Sequence, residues 1–383
     1  MAASTGPLVG LDIGTSGARA VEVKWHKREN SYQIAKAASI ELPRGSVRNG
    51  VITDEPAVVK ALKKLWRLGH FSTKRVAFGL ADASVLTRQI DLPWMPADDF
   101  RTALQYQVGD VLPVERNTVQ MDYHLLSEEQ RVDENQQVVD MNRILLVAAS
   151  SESITAVAEV LRRAGLEPVI ADSAAFALIR AACQGKLPTT TDAHAIVDLG
   201  ADQLTVVIHQ GGQPRFIRTI ANLGGDTATE SVADRLRIDP DVAEDLKRES
   251  GLNGPAPVVA PIAESSVFRD LASEPQSTMD PRIAATVEVL NPWATTVIGE
   301  IRNSLDYFQA SDPLAPIQTM SVTGRTAELA GFLERVATQI PLPVHTMDPL
   351  VGLKGPRKLA KKGGQDTRLV LATGLSMRPM AAS

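Results

Sequence analysis

The run LVGLDIGTSGARAVEV alternates apolar and small or polar positions, with Val9, Leu11 and Ile13 on one face. Gly14, Thr15, Ser16 and Gly17 break the alternation, and it resumes from Ala18 to Val23, which predicts a β-hairpin with a Gly/Ser/Thr turn. A related pattern recurs far along the chain. An apolar strand ends in Asp198, Leu199, Gly200 and Ala201; Leu204, Val206 and Ile208 alternate, paired glycines turn the chain, and Phe216, Arg218 and Ile220 alternate again. Two hairpins entered through Asp-x-Gly are thus expected, one for each of two similar halves. A further strand, Gln318 to Val322, leads through Thr323, Gly324 and Arg325 into a helix that keeps Leu329, Phe332, Leu333, Val336 and Ile340 on one face.

Between these marks the pattern predicts a strand over Gln33 to Leu42 and a helix near Ala57 to Leu68, with Val58, Ala61, Leu62 and Leu65 inward. A strand pair follows, Arg75 to Leu80 with Ser84 to Asp91. Leu92, Pro93, Trp94, Met95 and Pro96 then break the alternation. The next helix carries Asp98 and Asp99 in its first turn and Phe100, Leu104, Val108 and Val111 on one stripe. Val119 to Leu126 reads as a strand, the polar stretch 127–140 as a surface loop, and Ile144 to Ala149 as a returning strand. Residues 151–183 give two helices around a strand, with Gly165 as a cap and Asp172 at the strand end. Lys186 to His194 reads as a linker. Asp226 and Asp239 are expected to cap two successive helices, Asn253 to Asp280 to make a long excursion, and Ile298, Ile301, Leu305 and Phe308 to line a long helix.

A chain of 383 residues exceeds the usual size of one core, so length alone also calls for two lobes. Apolar residues at 44% and charged residues at 22% describe an ordinary globular protein, and a net charge of −5 argues against a general nucleic-acid binder. The single cysteine, Cys183, excludes an intrachain disulfide and suits a reducing compartment. No apolar run approaches the roughly 18 residues of a membrane span, and the first residues lack the pattern of a signal peptide, so any membrane association is expected to be peripheral. The basic tract Lys354 to Lys362 suits a solvated loop or contact with anionic lipid.

The chemistry these turns offer is phosphate binding. Glycines let backbone N–H groups approach an anion and the hydroxyls add donors, although the same turn also serves as a plain hairpin. Asp12 would hold Mg²⁺ through water, and Arg19 would reach a β-phosphate as a charge-assisted donor.

With LDIGTSG in the first phosphate position, VDLGADQ in the second and SVTGRTAELAGF as an adenosine motif, the chain resembles the actin-like nucleotide-binding superfamily. Within it the ordered set VRNGVITD, IDLPWMPADDFRTALQYQVGDVLP, LLVAASSESITAVAEVLRRAGLEPVIADSAAFALIRA, LGGDTATESVADRLRIDPDVAEDLKRES and IGEIRNSLDYFQAS is similar to the PilM family of type IV pilus assembly. The resemblance implies an α/β, actin-like ATPase fold: two similar lobes around a nucleotide cleft, with a small α/β module inserted in the first lobe. The expected layout is 1–75 for the first part of lobe one, 76–149 for an inserted partner-docking module, and 150–190 for the rest of lobe one. Residues 191–365 would form lobe two, with an outer part near 226–290, and 366–383 would return to lobe one.

The same resemblance implies ATP and Mg²⁺ as cofactors. Asp12 and Asp198 would hold the metal through water, while Gly14, Thr15, Ser16 and Gly200 line the phosphates beside Arg19. Gly324 would pass under the adenosine, and Glu244 and Lys247 would approach ribose and base, unless they form an ordinary helix-surface ion pair. Arg325 departs from the pattern, in which a second glycine follows Gly324; its guanidinium would either crowd the nucleotide or stack on adenine. Asp172 suits either an attacking water or a helix cap. No Glu, His or Gln stands out as a general base, so turnover is expected to be slow or absent.

The implied role is a cytoplasmic scaffold, peripheral on the membrane's cytoplasmic face, that recruits the cytoplasmic tail of a PilN-like membrane protein and contacts other pilus assembly proteins, with homo-oligomerisation open. Leu92, Trp94, Met95, Phe100 and Leu104 are the expected docking residues, unless they form the module's own core. A small-molecule kinase on the same two lobes and an FtsA-like division protein are the alternatives. The kinase would need an acceptor pocket; the FtsA-like reading is weakened by the lack of an amphipathic tail after LVLATGLSMR.

Overall fold

The computed structural model describes residues 7–80, 85–96, 99–100, 118–132, 136–185, 192–254, 280–347, 353 and 366–377. Two five-stranded sheets share one topology. In the first, β1 (Val9–Gly14), β2 (Gly17–His26) and β3 (Ser31–Glu41) form an antiparallel meander. On its other edge β1 pairs in parallel with β6 (Arg75–Leu80), which pairs in parallel with β10 (Glu167–Ser173). The second sheet repeats the plan: β11 (Ala193–Leu199), β12 (Gln203–Gln210) and β13 (Gln213–Ala221) meander, while β14 (Ile317–Thr323) and β15 (Val344–Thr346) add in parallel. A two-stranded ribbon, β4 (Val47–Arg48) and β5 (Val51–Ile52), lies between β3 and α1 in the chain.

Helices cover the sheets for reasons visible in their ends and faces. Helix α1 (Glu55–Gly69) is capped by the Asp54 carboxylate, which accepts from Ala57 N, and buries Val58, Ala61, Leu62 and Leu65. It shares the core of lobe one with α2 (Ser151–Arg163), through Val160 and Leu161. The core of lobe two is larger. It lies under α4 (Gly225–Leu236), α5 (Pro240–Ser250), the long α6 (Pro281–Ser311) and α7 (Phe332–Gln339), with Val232, Leu290, Ile298 and Phe332 inside. The cap of α4 is Gly224 rather than the expected Asp226, which sits in the first turn instead. Asp239 does cap α5, accepting from Asp241 N at 2.8 Å.

The lobes meet on α3 (Ala174–Ala182) and α8 (Val370–Ser376), whose Leu178, Leu371 and Leu375 pack with Ile196 and Val207 of the second sheet. Helix α8 lies against β1 so closely that a Cβ on Gly10 would collide with the Ala372 carbonyl, and against α3 so closely that one on Gly374 would collide with the Ala177 carbonyl. Ser376 Oγ accepts from Val23 N at 2.9 Å and donates to Leu8 O at 3.2 Å. The half-buried Cys183 ends α3, and burial pushes its thiol up to about 11, so it stays protonated at neutral pH.

The inserted module is a separate antiparallel sheet, β7 (Leu86–Pro93), β9 (Val138–Ser150) and β8 (Val119–Val132), in the order β7-β9-β8. Three expectations need correction. The strand Arg75 to Leu80 does not pair with the next strand; it is β6 of lobe one, so the module begins after it and not at 76. The stretch 127–140 is not a loop throughout, because the β8–β9 ladder runs on to Val132 and Val138. Its polar face is supported by ion pairs: Arg131 and Arg143 meet Asp91 at 2.8 and 3.0 Å, and Glu129 at 3.2 and 2.9 Å. His194, expected in a linker, is in β11.

Candidate functional site

Both hairpin turns open into the cleft between the lobes. In the first, Asp12 faces Arg19 across the ladder. The guanidinium reaches Asp12 Oδ2 at 3.3 Å, Ser16 Oγ at 2.8 Å and Gly17 O at 3.2 Å, so one buried cation ties the whole turn together. In the second, Asp198 faces Thr205, whose hydroxyl bonds Thr219 at 3.2 Å. Burial raises both carboxylates. For Asp12 the Arg19 charge opposes the rise; for Asp198 the Asp12 charge adds to it and carries the group to about 7, with Arg19 opposing.

Gly324 explains how β14 reaches this point. Its φ is +94°, and a Cβ there would run into the Leu199 carbonyl and lie 2.6 Å from Asp198 Oδ1. Asp12, Gly14, Thr15, Ser16, Arg19, Asp198, Gly200, Gly324 and Arg325 therefore line one compartment of about 110 Å³. Sequence reasoning also missed residues here: Gly50, Asp202, Gln203, Thr205, Thr367 and Arg368 line it too. The place of Asp202 and Gln203 just after the second Asp-x-Gly turn was the available signal.

An outer compartment of about 620 Å³ continues from the turns, walled by Glu244, Lys247, Arg325, Thr326 and Asp226. Glu244 and Lys247 do pair, at 2.5 Å, but not on a solvated helix surface. Lys247 is buried and also donates to Gly225 O at 2.8 Å and Thr229 Oγ1 at 2.7 Å, while Thr229 donates to Glu244 at 2.6 Å. Burial lowers the Lys247 ammonium below its usual value although Glu244 opposes this. For Glu244 burial pulls upward, but Lys247 and the hydroxyl outweigh it and leave the carboxyl below its usual range. Arg325 spans this compartment, 3.8 Å from Glu244 and 3.9 Å from Glu41 of the other lobe.

Asp172 stands apart. Its buried carboxylate is paired with Arg180, which also donates to Gly374 O at 3.1 Å, and neither compartment includes it. The role of an attacking-water ligand therefore has no geometric support at Asp172.

Among the described residues no group of three or more His, Cys, Asp or Glu could hold a metal. Two partly buried carboxylates with raised affinities for protons, one of them facing only hydroxyls across its ladder, still fit a hard cation that keeps most of its waters.

In the module the expected docking residues divide. Leu92 and Phe100 are buried with Ile144, Leu146 and Ala148, and Phe100 packs on Tyr123 with ring centroids 4.7 Å apart. These two are the module's own core, because the single sheet needs an apolar layer on one face. Met95 packs beside them, Leu104 lies outside the described residues, and Trp94 is 49% exposed.

Comparison with known proteins decides the family. The model for the type IV pilus assembly protein PilM matches residues 10–267 and 277–380. The chain belongs to the PilM family. A chain of a PilM-PilN type IV pilus biogenesis complex is similar to it at 21% identity, covering 97% of this chain and 98% of that one, with a TM-score of 0.77. The ethanolamine utilization protein EutJ from Carboxydothermus hydrogenoformans is similar at 15% identity over 98% of this chain and 90% of its own, with a TM-score of 0.52. The fold is that of the actin-like ATPases, as the doubled sheet topology already indicates. Among the described residues, no helix of this PilM-family chain is long and apolar enough to cross a membrane.

Proposed function

We propose that this PilM-family protein binds ATP with Mg²⁺ between its lobes and acts in pilus assembly as a cytoplasmic scaffold, peripheral on the membrane. It recruits the cytoplasmic tail of a PilN-like membrane protein through the inserted module. The observation that carries the nucleotide reading is the convergence of two Asp-x-Gly hairpins, from far-separated segments, on one polar compartment. There Thr15, Ser16 and Arg19 supply donors to an anion, and Asp12 and Asp198 would hold the metal that offsets its charge. Burial of Glu244 and Lys247 in the outer wall supports the placement of a ribose and base there. With no Glu, His or Gln standing out as a general base, and with Asp172 paired to Arg180, nucleotide serves as a conformational ligand more than as fuel.

Support for the partner comes from family membership and from the similar structure, whose own chains are PilM and PilN. On this chain the exposed Trp94 is the anchor for the tail, since Leu92 and Phe100 are covered. Calorimetry with ATP in magnesium and in a chelator tests the first part: Asp12→Ala should weaken the magnesium-dependent affinity, and absence of binding to the intact chain would refute it. Pull-down with the cytoplasmic tail of a co-encoded PilN-like protein, followed by crosslink mapping, tests the second. Trp94→Ala should cut capture about tenfold, a loss of roughly 1.4 kcal/mol; crosslinks confined to lobe two would overturn this placement.

A further inference from the structure

Asp202 lies in the turn between β11 and β12, on the wall of the phosphate compartment. The Thr15 hydroxyl, from the first hairpin turn, donates to its carboxylate. So does the Asn49 backbone N–H, at 2.7 Å from Oδ2, in the turn between β4 and β5. Both donors come from the opposite lobe. Further contacts across the cleft flank them: Asn49 Nδ2 to Asn222 Oδ1 at 3.1 Å, and Arg44 to Asp241 at 3.4 Å. Asp202 thus joins the lobes through the hydroxyl of Thr15, which lines a compartment fit for phosphate, and through the Asn49 amide, next to Gly50 on the same wall.

A carboxylate and a phosphate oxygen are the same kind of acceptor, and two anions within about 4–6 Å of one another disfavour their charged forms. Arg19, which lines the same compartment, is already shared among Asp12, Ser16 and the Gly17 carbonyl. We infer that Asp202 is a resident anion of the cleft: it takes the Thr15 and Asn49 donors that a terminal phosphate would take. The closed cleft therefore suits a nucleoside diphosphate, and a triphosphate enters only by displacing the carboxylate and parting the lobes. This rests on the nucleotide reading above and adds to it a specificity-determining residue. Displacement of Asp202 is then the event through which the terminal phosphate would be felt as lobe opening.

The test uses the full chain with Asp202→Asn, which keeps shape and an acceptor but not the charge, and Asp202→Ala, which removes the contact. ADP and ATP are titrated in magnesium by calorimetry. Both variants should bind ATP at least tenfold more tightly than the parent, with ADP affinity changed less than threefold. Spin labels at Leu68→Cys and Glu230→Cys, in a Cys183→Ser background, read the separation of the lobes without nucleotide. Asp202→Ala should lengthen or broaden that distance. An unchanged ATP-to-ADP ratio, with binding intact, overturns the inference and leaves the nucleotide site standing. An unchanged label distance in Asp202→Ala overturns the joining of the lobes. Failure of every form to bind either nucleotide overturns the nucleotide site, and the diphosphate preference with it.

Discussion

The two hairpins share one backbone plan but not one electrostatic plan. Asp12 and Asp198 hold equivalent places in equivalent meanders, and each faces its cross-strand partner seven positions on, Arg19 in lobe one and Thr205 in lobe two. A guanidinium faces the first carboxylate and a hydroxyl the second. The carboxyl with the hydroxyl is the one carried to about 7, with the charge of the other adding to its burial. Duplication of a fold therefore does not duplicate a site: the fold fixes where two carboxylates meet, and the cross-strand neighbour gives each its own surroundings. Burial raises both, but Asp12 has a guanidinium opposing the rise directly across its ladder, whereas Asp198 has the Asp12 charge adding to it.

The strongest way to break this asymmetry is Arg19→Gln. It strands the buried Asp12 beside Asp198 and should destabilise the chain by about 3–5 kcal/mol in urea unfolding. Adding Asp12→Asn should restore most of that, and a double variant no better than the single would show that Arg19 acts through packing instead. Next comes Gly324→Ala. A methyl at φ +94° meets the Leu199 carbonyl and the Asp198 carboxylate, so a loss of about 2–4 kcal/mol is expected, with nucleotide binding lost as β14 shifts.

The pH dependence of Asp198 sharpens the contrast without perturbing the backbone. Its folded pKa, about 7, lies above the unfolded value of 3.8, so the folded state binds the extra proton between them. Stability from this group is full at low pH and falls as pH rises from about 4 to 7, the reverse of a salt-bridged Asp. Asp198→Asn should remove this slope and stabilise the nucleotide-free chain by about 1–3 kcal/mol at pH 8, measured by chemical denaturation across pH. Magnesium with nucleotide should flatten the slope in the parent protein only. The smallest effect is at Arg325, whose ion pairs among the described residues are long ones to Glu41 and Glu244. Arg325→Gly should tighten nucleotide affinity about threefold, worth roughly 0.6 kcal/mol, by clearing the outer compartment; a loss of affinity would show instead that the guanidinium stacks on the base.

Much of this cleft was legible because its signals are local. Asp12 and Asp198 each close an apolar alternation and open a glycine turn, and strand period and turn chemistry are properties of neighbouring residues. Asp202 was not legible as a site residue, although the same turn contains it. Its importance depends on Thr15, which lies 187 positions away and is brought near only by the packing of the lobes. The module shows the same limit from another side. Alternation indicated strands at Arg75 to Leu80 and Ser84 to Asp91, the second observed from Leu86, but it carries no information on partners, and a parallel pairing with β1 took the first of them into lobe one. The apolar run at Leu92 and Phe100 announced burial without saying whether it came from the module or from a guest. For Lys247, expected at the ribose and base, a surface pair stayed open as the alternative because helical spacing reports the distance between two charges, not the Thr229 and Gly225 oxygens that wait beneath.

The close fit of α8 onto β1 has a consequence for how the protein is made. Strand β1 leaves the ribosome long before the helix that seals Gly10, Leu8 and Val23, which is built from residues 370–376. Lobe one must therefore wait, its phosphate turn unsealed, while the whole of lobe two is synthesised and can fold as a unit in the interval. The nascent chain completes its older half last. A chaperone or a membrane partner that met the protein during translation would find lobe two finished and lobe one still open.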